Sequence, residues 1–422
     1  MIHHAARLGL IVLLVAMNCQ SSYGQGAILS AAGPVHRSMG GASTAAPVSA
    51  ISGIYWNPAT ISGMANSELE VGLDLLSIDH EVDSTFGPFS GSTSGDAGTI
   101  PIPNFGWVHR RSDSAVTIGL GVNSVAGFKT TLPVDPTNPV LSPQPMGLGA
   151  VSSEASFLQI SPVLSYAISD CLSIAAGPNI SLGQIGVEPF VFNSLNANGA
   201  YPSGRASQNH FGGGVQSGVY YIGDRGWNWG ASIKSPTWME RFKFVGQDEN
   251  GLARNLTAAI DLPMILSIGT AYTAFEDWVF ALDTRFVDYA NADGFGGLAQ
   301  FRPDGSLPGL GWRSVYATAF GIQRRVNDRV TLRTGYSFNQ SPIQSDNTSV
   351  NTPAPLLYEH IGNVGGSYNV CNHVSLNVAY SHYFEAVRQG AIVSPIFGAI
   401  PGSSVTNRVS ADLLSFGISM QH

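Results

Sequence analysis

Along much of the chain, apolar side chains occupy every second position. Leu69, Val71, Leu73 and Leu75 alternate with Glu68, Glu70, Gly72 and Asp74. Val116, Ile118, Leu120 and Val122 alternate with Thr117, Gly119, Gly121 and Asn123, and Leu158, Ile160, Pro162, Leu164, Tyr166 and Ile168 form a third series. Successive side chains of a strand point to opposite faces, so each segment has one greasy face and one polar or tiny face. About fourteen such segments are predicted: 66–80, 98–110, 114–127, 154–168, 171–185, 209–223, 227–239, 254–273, 277–290, 312–325, 328–340, 356–370, 373–386 and 405–421. The weakest are 98–110, which holds two prolines, and 209–223, which holds three consecutive glycines.

The connections carry as much information as the strands. Arg110–Asp113, Ser169-Asp170, Gly223–Gly226, Phe275-Glu276, Val326-Asn327 and Cys371-Asn372 read as tight turns. Long links cover 81–97, 128–153, 186–208, 291–311 and 387–404. Short turns alternate with long loops in a closed up-and-down barrel of the outer membrane, and an even strand count leaves both termini in the periplasm. Packed sandwiches also alternate, but they have no reason for this rhythm. The expected fold is therefore all-β, a transmembrane antiparallel β-barrel of about 14 strands with an N-terminal luminal plug. Its apolar faces meet lipid, and Trp107, Trp227, Trp229, Trp278, Tyr272 and Tyr289 are expected in interfacial girdles.

Composition supports this class. Charged residues make up 11% of the chain, against roughly 25% in soluble domains. Glycine contributes 49 of 422 residues, and the net charge of −8 argues against a nucleic-acid partner. Residues 1–24 have the layout of a signal peptide: Arg7, an apolar run from Leu8 to Met17, then Ser22-Tyr23-Gly24 before the cleavage point. That run is too short to span a bilayer as a helix. Cys171 and Cys371 fall on separate turns, too far apart for the roughly 7 Å Cα separation of a disulfide.

Between the signal peptide and the barrel (66–422), residues 25–65 show no strand signal. Disordered tails are usually charged and poor in apolar residues, whereas this stretch has almost no charge and carries Ile51, Ile54, Tyr55 and Trp56. A barrel lumen is the available place to pack it, as larger barrels are often plugged. Its small residues let backbone approach the wall.

The stretch RSMGGASTAAPVSAISGIYWNPATISGM (Arg37–Met64) resembles the N-terminal signature of the outer-membrane hydrophobic-compound transporters of the FadL/TodX type. Gly40, Gly41 and Ala42, followed by Asn57, Pro58 and Ala59 ahead of the first strand, carry that resemblance. Further similarity follows in order along nearly the whole mature chain, including IGLGVNSVAGFKT and LPMILSIGTAYTAFEDWVFALDTRFVDYA. The chain departs from outer-membrane habit in ending SFGISMQH rather than on an aromatic residue. The resemblance implies a fourteen-stranded plugged barrel. It implies capture of long-chain fatty acids or aromatic or aliphatic hydrocarbons by outer loops, transfer to a luminal pocket, plug rearrangement, and sideways release through a kinked third strand.

Candidates exist for each part. Loop 186–208 opens with Val187, Pro189, Phe190, Val191 and Phe192. It reads either as an apolar capture patch or as a loop folded onto its own barrel mouth. After Val122 the alternation fails at Asn123, Ser124 and Gly127. From the residues alone this is a bulge or a strand ending, and the resemblance makes it the lateral gate. Lys234, Arg285 and Arg333 fall on the inward phase as candidate partners for a ligand head, with Asp283 placed to pair with Arg285. A barrel-embedded hydrolase is the rival class, yet G-x-S-x-G, H-E-x-x-H and C-x-x-C are absent from the sequence. A non-specific porin is the other alternative. No catalytic residue, cofactor or metal site is expected. The expected partners are a hydrophobic small molecule and outer-membrane lipid, with the protein a monomer. Replacing Asn57 or deleting 25–64 is expected to impair uptake and leave the barrel folded.

Overall fold

The computed structural model describes residues 26–204, 207–247 and 252–422; the signal peptide expected over 1–24 lies outside the described residues. Fourteen strands form one closed antiparallel ring. They are β1 (Glu68–Phe86), β2 (Phe89–Arg110), β3 (Val116–Leu132), β4 (Val151–Ala167), β5 (Leu172–Glu188), β6 (His210–Ile222) and β7 (Trp227–Lys234). The ring continues with β8 (Ile265–Tyr272), β9 (Trp278–Val287), β10 (Val315–Arg325), β11 (Val330–Asn339), β12 (His360–Cys371), β13 (Val374–Gly390) and β14 (Ser404–Gln421). Each strand pairs with its sequence neighbour, and β14 closes the ring on β1 from Glu68↔Gln421 to Thr85↔Ser404. No helix among the described residues is long and apolar enough to cross a membrane; the crossing is made by strands.

The period-two pattern sorts side chains as the sequence requires. On β1, Glu68, Glu70 and Asp74 are buried, while Val71 and Leu73 are 48% and 43% exposed on the outer wall. Leu164, Ile268, Leu332, Val364 and Leu376 lie on that same greasy exterior. In hydrocarbon every backbone donor needs a partner, and a closed ladder supplies them.

Four expectations are corrected. Residues 81–97 are not a loop: β1 and β2 run on as a long hairpin to Phe86↔Phe89. Gly87, at φ 58°, supplies the positive φ that a two-residue connection needs before Pro88. This upper hairpin rises beyond the apolar band, so its outer face carries no greasy alternation to read. Segment 254–273 is two strands, one at Ala253–Ala258 and the other β8; Pro263 lies between them, where no N–H can serve a ladder. Segment 227–239 ends as a barrel strand at Lys234, just before Pro236. Tyr289 is no girdle residue: it is fully buried against Phe295 and Trp312, with ring centroids at 5.4 and 5.0 Å.

Inside the ring lies the N-terminal segment. It forms α1 (Pro34–Ser38), α2 (Ala50–Trp56) and a 3-10 turn (Pro58–Gly63). Ser49 caps α2, accepting from Ser52 N, while Ser52 Oγ accepts from Ser49 N at 2.9 Å. Glycines of the wall make room for it. A Cβ at Gly335 would overlap Gly40 N, one at Gly230 would overlap Thr44 O, and one at Gly218 would overlap Asn57 Oδ1.

Candidate functional site

The carboxylates that open β1 hold this segment. Glu68 Oε1 accepts from Ala50 N at 2.9 Å and Glu70 Oε2 from Ile51 N at 3.1 Å. Two acidic groups thus satisfy orphan donors at the positive end of α2. Asp74 Oδ2 takes the Arg37 guanidinium at 2.7 Å and Asn104 Nδ2 at 2.9 Å, and Ser415 Oγ of β14 donates to Asp74 Oδ1. Across the lumen, Asp283 Oδ2 accepts from Ser43 N (2.8 Å), Thr44 N (2.9 Å) and Thr44 Oγ1 (2.8 Å), and pairs with Arg285 at 2.6 Å. The sequence alone pairs Asp283 with Arg285 but gives no partner for Glu68, Glu70 or Asp74. Their inward phase beside an uncharged segment was the available signal.

The motif residues Gly40, Gly41, Ala42, Asn57, Pro58 and Ala59 all lie in this interior. Gly40 and Gly41 adopt positive φ (65° and 81°), and Gly41 O accepts from Arg285 and from His36 Nε2, the latter at 2.9 Å. Asn57 Nδ2 donates to Thr44 O (2.7 Å) and Val219 O (2.9 Å), while its Oδ1 accepts from Ala59 N at 3.1 Å. Pro58 opens the 3-10 turn, where its missing N–H costs nothing. Ala42 and Ala59 are fully buried.

His36 is a pH-sensitive member of this packing. Its Nδ1 accepts from Ala32 N at 3.2 Å, which fixes the neutral tautomer with Nε2 donating to Gly41 O. Burial, and then the charges of Arg285, Arg37 and Lys234, hold its pKa down to about 3 from the usual 6.5. The unfolded segment binds the extra proton first. The stabilisation is therefore complete above pH 6.5 and is lost as pH falls from 6.5 toward 3. Limited proteolysis of the N-terminal segment in detergent should accelerate over that window. In a His36→Phe variant the acceleration should be smaller; an unchanged pH profile would remove His36 as its cause.

Asn123, Ser124 and Gly127 mark a parting of the wall. Pairing of β2 with β3 ends at Asn104↔Asn123. Beyond it β2 stays on β1, and β3 stays on β4 as far as Leu132↔Val151, through a bulge between Ser124 and Ala126. The lost alternation is thus a bulge and not the end of a strand. Three N-terminal residues line its inner side: Leu29 N donates to Val125 O (2.9 Å), Gly127 N donates to Ala27 O (3.1 Å), and Ile28 bridges Ala126.

A cavity of about 110 Å³ opens at this parting, lined by Ile28, Leu29, Ile78, Ile102, Phe128 and Tyr358 among others, with no charged side chain. A smaller cavity shares Ile28 with it and is lined by Tyr55, Trp56, Gln159, Asn179 and Lys234. Lys234 Nζ lies over the rings of Tyr55 and Trp56, 4.6 and 5.1 Å from their centroids, and no carboxylate pairs with it among the described residues. Arg285 stacks on Trp56 at 4.1 Å and is occupied by Asp283. Arg333 donates to Gln323 Oε1 and Ser367 Oγ, both at 2.7 Å. Phe190 is fully buried against Phe192 (5.8 Å) and Phe244 (4.7 Å), so the start of loop 186–208 is folded onto the barrel mouth. The structure brings Lys234 and Arg285 together around Trp56. Phe190 and Phe192 pack at the mouth, and Arg333 lies near the turn-side end of β11.

The family described as outer membrane protein transport protein (OMPP1/FadL/TodX) matches residues 12–421. The chain belongs to this family. It is a FadL-type carrier of hydrophobic compounds in the outer membrane, and not an enzyme. In structure the FadL-type barrel is similar to the P. putida toluene transporter TodX (TM-score 0.68, 17% identity, 93% of this chain and 99% of that one). It is also similar to a Pseudomonas aeruginosa FadL homologue (0.71, 15%, 94% and 99%) and to the Ralstonia pickettii toluene transporter TbuX (0.66, 17%, 93% and 99%). Identities this low speak for the fold alone. No curated protein matches the FadL-type chain in sequence.

Proposed function

We propose that the chain carries small neutral hydrophobic molecules, such as monoaromatic hydrocarbons, from the loop end of the barrel into the cavity beside Ile28, and releases them sideways between β2 and β3. The observation that carries this reading is the coincidence of an apolar cavity with the one stretch where β3 leaves β2. Burial there gains about 0.8 kcal/mol per CH₂, and an exit through the wall spares the molecule a passage through water. Residues 1–24 serve as the export signal, 25–65 as the movable stopper, and 66–422 as the wall. The tight turns and both termini face the periplasm, and one chain suffices. Asn123, Ser124 and Gly127 form the gate, and Phe190 and Phe192 shape the entry.

One observation favours a second ligand class. Lys234 faces the smaller cavity without an acidic partner among the described residues, so an amphiphile could place a carboxylate there and its tail in the larger cavity. Uptake of labelled toluene and of labelled oleate by cells lacking other such carriers separates the two. Toluene uptake indifferent to Lys234→Met supports the neutral class. Oleate uptake alone, lost in Lys234→Met, would replace it, and failure of both substrates would end the carrier assignment for these compounds.

A further inference from the structure

Two prolines of β2, Pro101 and Pro103, sit in the middle of a barrel strand, where a ladder would normally use every N–H. Their orientation follows from neighbouring bonds. In an antiparallel ladder the N–H and C=O of one residue point to the same neighbour strand. Arg110 donates from its N–H to Ser67 Oγ and accepts at its O from the same hydroxyl, each at 3.0 Å, on the β1 side. The β1–β2 register is unbroken from Glu68↔Val108 to Ser77↔Thr99. Even-numbered residues of β2 therefore bond β1, and odd-numbered residues turn toward β3. The β3 side agrees: Ala167 N donates to Ala115 O at 2.8 Å, so odd residues of β3 below the bulge face β4 and even ones face β2. Trp107↔Leu120 and Phe105↔Val122 are then bonded pairs. Pro103 and Pro101 are the next two positions aimed at β3, and they fall just beyond the last β2–β3 pair, Asn104↔Asn123.

We propose that Pro101 and Pro103 keep the side window open. Any other residue there would aim a free N–H into hydrocarbon, which is costly, and the cheapest remedy would be to zip β2 onto β3. Proline removes both the donor and the remedy. The β2 edge then presents ring carbons, and Pro101 is itself part of the cavity lining. The carbonyl of Val125 and the N–H of Gly127 stay with Leu29 and Ala27, so among the described residues the N-terminal segment is the only strand-like partner on that side. Pro162 and Pro178 show that missing donors alone do not open a wall. The register places them opposite each other, yet pairing resumes on both sides, at Ile160↔Ile180 and Leu164↔Ala176. Among the described residues, only at β2 do donor-free positions adjoin a neighbour that bulges away.

This inference rests on the sideways exit proposed above, and the test separates the two. The full chain carrying Pro101→Val and Pro103→Val is compared with the unaltered protein in detergent micelles by amide hydrogen exchange. Uptake is followed in cells with labelled toluene or oleate, whichever the unaltered protein takes up. Relative to the exchange rate of an unstructured chain, the new amides at 101 and 103 should be protected by about tenfold or more, the factor equivalent to about 1.4 kcal/mol and near the net worth of one hydrogen bond, and most of the uptake should be lost. Pro178→Val, which adds an N–H at a closed seam, should leave uptake unchanged. Amides at 101 and 103 that exchange freely, with uptake intact, would overturn the role of the prolines. Protected amides with intact uptake would leave that role standing and remove the sideways exit. Should the double variant fail to assemble, Pro103→Val alone carries the same expectations.

Discussion

A chain lacking residues 25–64 will still insert and run as a heat-modifiable barrel, but it will conduct ions as an open pore and lose uptake of hydrophobic compounds. The ring closes through β1 and β14 without help from the deleted residues, and a closed ladder is what stability in a bilayer requires. What disappears is the filling. Gly26, Ile28, Leu29 and Ser30 form one side of the 110 Å³ cavity, and the inward carboxylates Glu68, Glu70, Asp74 and Asp283 would all become hydrated. A ligand entering such a lumen would meet water and charge rather than a dry pocket, forfeiting about 0.8 kcal/mol for each CH₂ left exposed. Planar-bilayer conductance and whole-cell uptake measure the two effects. Asn57→Ala is a milder version, removing two donors and one cap. If the shortened chain stays closed and transports normally, the segment has no part in transport.

Asp283→Ala should have the largest effect of any single substitution. That carboxylate accepts three bonds from Ser43 and Thr44 and balances Arg285, and both ionic side chains are at most 1% exposed. Removing it strands the Arg285 guanidinium inside the packing, a loss of about 3–5 kcal/mol for a buried pair broken on one side. The segment should be released while the wall survives, so proteolysis of residues 26–67 accelerates and bilayer conductance rises toward that of the deletion. Asp283→Ala with Arg285→Met removes both charges and should recover much of the loss, because the stranded cation is the main penalty. A single variant as protease-resistant as the unaltered protein would show that the anchor contributes little.

The barrel was readable because its rule is local. Alternation at Leu69–Leu75 or Val116–Val122 says which face each residue takes, and short turns against long loops give the topology. What alternation does not contain is the identity of the facing partner. Glu68, Glu70 and Asp74 stood out as acids on an inward phase, but their bonds to Ala50, Ile51 and Arg37 depend on where a neighbouring segment folds back. The upper hairpin of β1 and β2 was invisible for a related reason: above the apolar band neither face is greasy. Tyr289 looked like a girdle tyrosine because it ends a strand, yet its hydroxyl accepts from Ile28 N at 3.0 Å inside the barrel. The high glycine count had a cause that no single window could reveal. Gly218, Gly230 and Gly335 are bare where the wall touches Asn57, Thr44 and Gly40.

Asp74 grips Arg37 with one oxygen and takes the Ser415 hydroxyl on the other. Ser415 belongs to the last strand and Asp74 to the first, so one side chain touches the seal of the cylinder and its contents together. Closure of the cylinder and seating of its filling therefore share a single carboxylate, and a change at position 74 disturbs both together.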